Sequence, residues 1–413
     1  MAIVRPFAAL RPTSVYAKNV ISLPYDVMNR FEAAKMAMGN PYSFLHICRS
    51  EIDLPDATDS YSEEVYLKAK STVADFISKG IFARDEKPLF YIYAQEMSGR
   101  VQTGLVATTS IDEYLNNSIK KHEFTRHEKE LDRIRHFDVC NANTEPVFLT
   151  YRDHAGIRAT MNNWISENRP EYDITSPDGI RHILWKISDD TVIQRLSTLF
   201  ESVEALYIAD GHHRSASAVK VGLKRREEFP DYTGNEEFNF FMAVLFPDSD
   251  LRIFDYNRVI KDLNGLNIQD FLASLSVNFF VENFGKEIFV PTEKHTFGMY
   301  LSDSWYQLKA KPEIVDGDDI IKSLDVSILQ DYILAPLLGI GDPRKDKRID
   351  FVGGIRGLKE LERRVHDDMK VAFALYPVSI EDLLSVSDQG MIMPPKSTWF
   401  EPKLGSGLFI HEL

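Results

Sequence analysis

The sequence predicts a mixed α and β fold. Strand-like and helix-like segments alternate along the chain, no internal repeat interrupts them, and short apolar runs such as Phe238 to Phe246 read as buried strands. The elements follow in order. Arg30 to Gly39 reads as a short helix closed by Gly39-Asn40-Pro41, with glycine as C-cap and proline as stop. Ser60 to Ile77 reads as a longer helix with Val65, Ala69, Val73 and Phe76 on one face. Leu89 to Ala94 and Val101 to Ser110 read as paired strands joined through Met97-Ser98-Gly99. In the polar stretch Lys120 to His136, the apolar residues Phe124, Leu131 and Ile134 fall at helical spacing. Pro146 to Tyr151 and His182 to Ile187 read as strands, and Leu196 to Ser202 as part of a helix. Val203 to Ala209 is a strand that runs into Asp210-Gly211-His212-His213-Arg214, followed by a helix from Ser215 to Glu228. Val277 to Phe284, Thr296 to Leu301 and Trp305 to Ala310 read as antiparallel strands, and Leu324 to Leu334 and Leu358 to His366 as helices. Asp350 to Gly354 and Val371 to Tyr376 read as strands, and Met391 to Leu413 as a turn-rich apolar tail.

Length and composition narrow the function classes. At roughly 150 residues per domain, 413 residues suggest two or three domains. The turn at Val290-Pro291 gives a division into residues 1–290 and 291–413. The 26 Phe and 17 Tyr exclude a disordered chain. Two cysteines, Cys48 and Cys140, exclude a disulfide scaffold and suit a reducing compartment, so a cytoplasmic location is expected. The net charge of −14 argues against indiscriminate nucleic-acid binding. No apolar run approaches the roughly 20 residues of a membrane span, and the N-terminus has no signal-peptide pattern.

The segment Ala209 to Arg214, ADGHHR, is the most informative. It presents a carboxylate, a glycine, two imidazoles and a guanidinium at the end of a hydrophobic strand, where ligands collect in α/β sheets. Gly211 lets the backbone bend or approach a ligand closely. The amides opening the following helix favour an anion. Arg214 can fork onto phosphate oxygens, and Ser215 adds a hydroxyl. His212 and His213 can donate hydrogen bonds or move protons. Asp210 can hold Mg²⁺ directly or through water. The bland reading makes Asp210 an N-cap and the histidines structural.

This box resembles the signature of the ParB/sulfiredoxin superfamily, whose members use a Gly-x-x-Arg box to bind nucleotide phosphates; Gly211-His212-His213-Arg214 matches it. The whole chain resembles the family labelled domain of unknown function 1015. That resemblance rests on Val4-Arg5-Pro6-Phe7, Leu23-Pro24-Tyr25-Asp26-Val27, Asn40 to His46, His122-Glu123-Phe124-Thr125, the ADGHHR box and Met393 to Thr398. It implies a ParB/sulfiredoxin-like core with a mixed sheet in residues 1–290 and an additional C-terminal α/β region. The family carries no activity of its own to transfer, but the related superfamily branch includes free-serine kinases. In that branch a carboxylate near the N-terminal segment acts as base toward the substrate hydroxyl. Asp26 is the nearest candidate here and Glu32 the fallback.

Other segments hold candidate groups. On a helix, His122 would face Arg126 and Glu123 would face His127, so either pair can converge on a phosphate or a metal. The bland reading is a solvated helix. The spacing is not HExxH. Pro394-Pro395-Lys396-Ser397-Thr398, with Lys403 beyond, lacks the glycine run of a Walker site, yet Lys396 and Ser397 can still reach a phosphate. Lys220, Lys224, Arg225 and Arg226 form the one locally basic stretch.

Three functions follow as expectations. The first is a Mg²⁺-dependent phosphotransferase using ATP or ADP on a small hydroxyl metabolite, with free serine leading. It would use Asp26, Asp210, His212 and His213 for catalysis. Gly211, Arg214, Ser215, His122, Arg126, Lys396 and Ser397 would hold the nucleotide, and Asp210 and Glu123 the metal. The second is a phosphatase or nucleotide hydrolase, with a phosphohistidine at His212 or His213 as a variant. The third is a nucleotide-binding regulator that switches a partner. A nucleotide and a small molecule are the expected partners, with neither nucleic acid nor membrane; a homodimer is allowed.

Overall fold

The computed structural model describes residues 2–413, which form two compact units: residues up to Leu251 with Pro402–Leu413, and Arg252–Glu401. The division expected at 290–291 falls inside the second unit, between the strands Phe279–Gly285 and Thr296–Leu301 of one sheet. A proline turn marks a loop within a sheet as readily as a loop between domains.

Among the described residues, the first unit is built on a mixed nine-stranded sheet. Its strands run in the order Ile119–Lys120, Leu206–Asp210, Val147–Tyr151, Phe240–Pro247, Arg100–Ser110, Phe90–Met97, Arg181–Ile187 and Tyr172–Thr175, with Val4–Arg5 added beside Arg100–Ser110. Phe240–Pro247 is buried along its whole length because it lies in the middle, parallel to Val147–Tyr151 and antiparallel to Arg100–Ser110. Its continuous apolar sequence follows from that position. Phe241, Ala243 and Leu245 join Leu149, Leu206 and Ile208 in the core.

Two helices frame the edge that carries the box. His212–Glu228 buries Ala216, Ser217, Ala218, Val219, Val221 and Gly222. A Cβ at Gly222 would lie 2.4 Å from the Phe238 carbonyl, so only glycine permits this approach. His127–Cys140 packs beside it, and Ser217 Oγ donates to the Glu130 carbonyl at 3.0 Å. The polar stretch before it differs from expectation. Residues 121–126 are not helical, and the helix begins at His127. Phe124 is exposed rather than part of an apolar face.

Pro402–Leu413 returns to the first unit. Ser406 pairs with Ser22, Ile410 with Leu10, and His411–Glu412 with Ala142–Asn143. The second unit holds a six-stranded antiparallel sheet in the order Phe279–Gly285, Ser304–Ala310, Thr296–Leu301, Val371–Ala374, Tyr256–Ile260 and Ile349–Gly353. Trp305, Val259, Tyr300 and Leu361 belong to its core. The helices Ala155–Glu167, Ile268–Asn278 and Ile380–Asp388 have no counterpart in the sequence reading. Among the described residues, no helix is long and apolar enough to cross a membrane. Both cysteines are free thiols.

Candidate functional site

The strand Leu206–Asp210 ends in the box, and the helix begins at His212 rather than Ser215. Gly211 is the N-cap at φ +95°, a conformation L-residues rarely adopt. No side chain caps this helix. The amides of its first turn have no acceptor within the helix. Asp210 is not the N-cap. Its Oδ1 accepts from the Gly211 amide at 2.8 Å, and its Oδ2 lies 3.3 Å from Lys403 Nζ and 3.8 Å from Arg214 Nη2. Burial alone would push this carboxyl up, but Lys403 and Arg214 overcome it and hold Asp210 well below the usual carboxylate range. Lys403, noted in the sequence only as lying beyond the Lys396 turn, is delivered by the returning tail.

Arg214 is 2% exposed and donates to the Pro146 carbonyl at 2.6 Å. Burial disfavours its charge, yet Asp26, Asp210 and Glu145 keep it ionised. It therefore sits beneath the box as a counter-ion to buried carboxylates, not as an open fork for phosphate. Ser215 is buried as well, and its hydroxyl donates to the Gly211 and His212 carbonyls at 3.3 and 3.0 Å. The expected phosphate contact of either side chain would require it to leave these partners.

The two histidines of the box differ. His213 Nε2 accepts from the Arg126 amide at 2.9 Å, so a neutral ring carries its proton on Nδ1. Burial holds its pKa down, against the pull of Asp26. The bond also occupies the nitrogen that a phosphohistidine at Nε2 would need. Arg126 thus contributes its backbone here, while the residue itself is exposed. His212 is 5% exposed and meets His122 edge to face, with centroids 4.5 Å apart. His212 Nδ1 lies 4.0 Å from Glu123 Oε2. The parallel pairing of Ile119–Lys120 with Leu206–Asp210 brings residues 122 and 123 here. The helical facing expected of His122 with Arg126 and of Glu123 with His127 does not arise, because residues 121–126 are not a helix.

Asp26 approaches from the N-terminal segment. Tyr25 is buried, its amide donates to Glu145 Oε1 at 3.2 Å, and Arg133 lies over its ring at 4.0 Å. Glu145 also accepts from Ser406 Oγ at 2.7 Å and lies 3.6 Å from Arg133 Nη1. Burial raises the Glu145 carboxyl, and Arg214 and Arg133 offset that only in part. This polar foundation fixes Tyr25 and leaves Asp26 exposed beside the box. Asp26 is close enough to act electrostatically on both Arg214 and His213. Glu32 is occupied differently: Asn29 and Glu32 form a reciprocal capping box for the helix Arg30–Ala37.

Lys396 and Ser397 belong to the second unit. Ser397 Oγ donates to the Pro394 carbonyl at 2.6 Å, and the Lys396 carbonyl accepts from Arg258 at 2.9 Å. They shape a turn there. The basic stretch is spent on ion pairs: Lys220 with Glu130, Lys224 and Arg225 with Asp138, and Arg226 with Asp112. Tyr25, Arg133 and Glu145 went unnoticed as site residues because the contacts that join Tyr25 to Arg133 and to Glu145 span more than a hundred residues of sequence. The only available signal was the family-matching segment around Asp26.

Fold and site define a mixed α/β protein with an uncapped helix N-terminus at a strand end, ringed by imidazoles and carboxylates. The chain belongs to the family described as protein of unknown function (DUF1015), whose model matches residues 4–327. No curated protein matches it. Among solved structures it is similar to a conserved hypothetical protein from Pyrococcus furiosus, at 13% identity and a TM-score of 0.34, covering 73% of this chain and 95% of that one. It is also similar to a mutant free serine kinase in complex with ADP, at 11% identity and 0.36, covering 75% and 93%. SbnI with a C-terminal truncation, from Staphylococcus aureus, gives 11% and 0.40, covering 74% and 87%. Likeness at this level does not transfer an activity.

Proposed function

We propose that the protein is a phosphotransferase that moves a phosphoryl group from a nucleotide to a small hydroxyl metabolite. One observation carries this reading: an exposed carboxylate, Asp26, acts electrostatically on Arg214 and His213 in the first turn of an uncapped 17-residue helix. The helix amides offer donors to phosphate oxygens. Asp26 would take the proton of the attacking hydroxyl as its oxygen bonds to phosphorus and the bond to the leaving nucleotide breaks. His213, its proton on Nδ1, is a further donor. Free serine is the first acceptor to test, on the superfamily resemblance of Gly211 to Arg214.

The resident side chains do not make a cradle for magnesium. That ion takes oxygen donors, whereas both Asp210 oxygens already face an amide and two cations, and Glu123 stands beside two imidazoles. No step is therefore assigned to a protein-held magnesium ion; in the assay it is added with the nucleotide.

The test is product mass after incubating the protein with Mg²⁺, serine, and ATP or ADP. Phosphoserine is the expected product. Free phosphate without phosphoserine would replace this reading with a hydrolase. Saturable nucleotide binding without turnover would replace it with a regulator.

A further inference from the structure

We propose that His122, Glu123 and His212 form a binding site for one zinc-class divalent transition-metal ion. The inference stands on these donors alone and does not rest on the phosphotransferase reading. One nitrogen or oxygen from each residue lies within 4.8 Å of the others. The set of two imidazoles and one carboxylate is a three-ligand pattern that suits zinc and its neighbours and leaves a fourth position open.

Three features make this a built site. First, sheet pairing delivers the donors: Ile119 is opposite Leu206 and Lys120 opposite Tyr207, so residues 122 and 123 continue alongside the strand that ends at the box. Second, His122 hydrogen-bonds the Ile208 carbonyl, the backbone contact that fixes tautomer and ring direction in metal-binding histidines. Third, His212 is 5% exposed and turns its Nδ1 toward the Glu123 carboxylate, so a buried imidazole nitrogen faces an oxygen donor.

The geometry is slightly open. Bonds of about 2.0–2.1 Å in a tetrahedral shell put donors about 3.3 Å apart, against 4.0 Å between His212 Nδ1 and Glu123 Oε2. Glu123 can close this gap. Its side chain is 41% exposed and its segment is neither helix nor strand, so it also gives the ion a way in.

The experiment uses the full chain, stripped with a chelator and titrated with Zn²⁺, and with Co²⁺ for its visible d–d bands. Metal content is measured by mass spectrometry after dialysis. About one equivalent per chain should be retained in excess Mg²⁺. Glu123→Gln and His122→Ala should each weaken binding by more than about tenfold. His127→Ala, at the exposed start of the neighbouring helix, should bind as the unaltered protein does. Because His122 is buried, unfolding curves check its variant, and Glu123→Gln decides the matter if that variant is unfolded. No retained metal, displacement by Mg²⁺, or undiminished binding in a folded Glu123→Gln protein would each overturn the site. Phosphoserine formation without metal uptake sinks this inference alone, while metal uptake without phosphotransfer sinks only the proposed function.

Discussion

Asp26 and Glu32 are six residues apart and chemically similar, yet their surroundings give them different work. Asp26 is exposed beside Arg214 and His213, whereas the Glu32 carboxylate accepts from the Asn29 amide at 2.9 Å. Asp26→Asn should therefore lower phosphoserine formation by about 10²–10⁴-fold while leaving stability within about 0.5 kcal/mol. Glu32→Ala should do the reverse, keeping turnover and costing about 0.5–1 kcal/mol through the lost cap. Steady-state rates and denaturant curves on both variants separate the roles; equal rate losses would remove Asp26 as the base. Arg214 is a harder residue to probe. Its guanidinium compensates Asp210, Glu145 and Asp26. Removing one partner of a buried ion cluster leaves uncompensated charge, so Arg214→Ala should cost about 3–5 kcal/mol in folding. A loss below about 1 kcal/mol in urea denaturation would show that the charge is not needed there.

At the scale of elements, Gly211 joins strand to helix. Alanine at φ +95° costs roughly 1–2 kcal/mol, and its Cβ would lie 3.1 Å from Arg214 Nε. Gly211→Ala should thus be destabilised by at least that amount in thermal or denaturant unfolding, and an unchanged midpoint would contradict the strained cap. Many elements were legible because their signals are local. Phe240–Pro247 shows its central position in its apolar run, and Arg30–Ala37, with Met38 as its C-cap, stops just before the glycine expected to close it. The segment 121–126 was misread because Phe124, Leu131 and Ile134 fit a helical period, although the first of them is exposed ahead of the helix. The box stood out in sequence because its polar groups are contiguous. Its partners were hidden for the opposite reason: Lys403 meets Asp210 across 193 positions, and Tyr25 meets Glu145 across 120. The open fork expected of Arg214 failed on the same ground, since the carboxylates that bury it are distant in sequence.

For the whole molecule, buried titratable groups set opposing pH dependences. His136 and His182 are both pushed down to about 4, chiefly by burial. Arg133 further disfavours the charged form of His136. His182 hydrogen-bonds Tyr93 Oη at 2.6 Å and Ser176 Oγ at 2.9 Å, while His136 Nε2 bonds the Ile47 carbonyl at 3.0 Å. In the unfolded chain each titrates near 6.5. Between those values the unfolded state binds more protons, so stability falls as pH is lowered through that window. By pH 5 the loss is about 2 kcal/mol for each ring. Glu113 and Asp325 act the other way. Burial raises both to about 7. A carboxyl raised in the folded state stabilises it at low pH, and that contribution is lost as pH rises from the unfolded value, near 4, through 7. The two windows overlap from about pH 4 to 6.5, where the opposing contributions offset one another, and from there to about 7 only the loss from the carboxyls remains. Glu113 belongs to the first unit and Asp325 to the second, so each contribution is read with a probe in its own unit: Trp164 and Trp185 for the first, Trp305 for the second. His182→Asn should flatten the rise of stability seen by the first pair. Glu113→Gln, which keeps an acceptor for the Ile3 amide, should steepen the rise of stability from pH 5 to about 6.5 seen by the same probe, remove the fall above it, and leave the profile of Trp305 unchanged. If denaturation midpoints from pH 5 to 8 kept the slope of the unaltered protein in both variants, burial would not be what sets these protons.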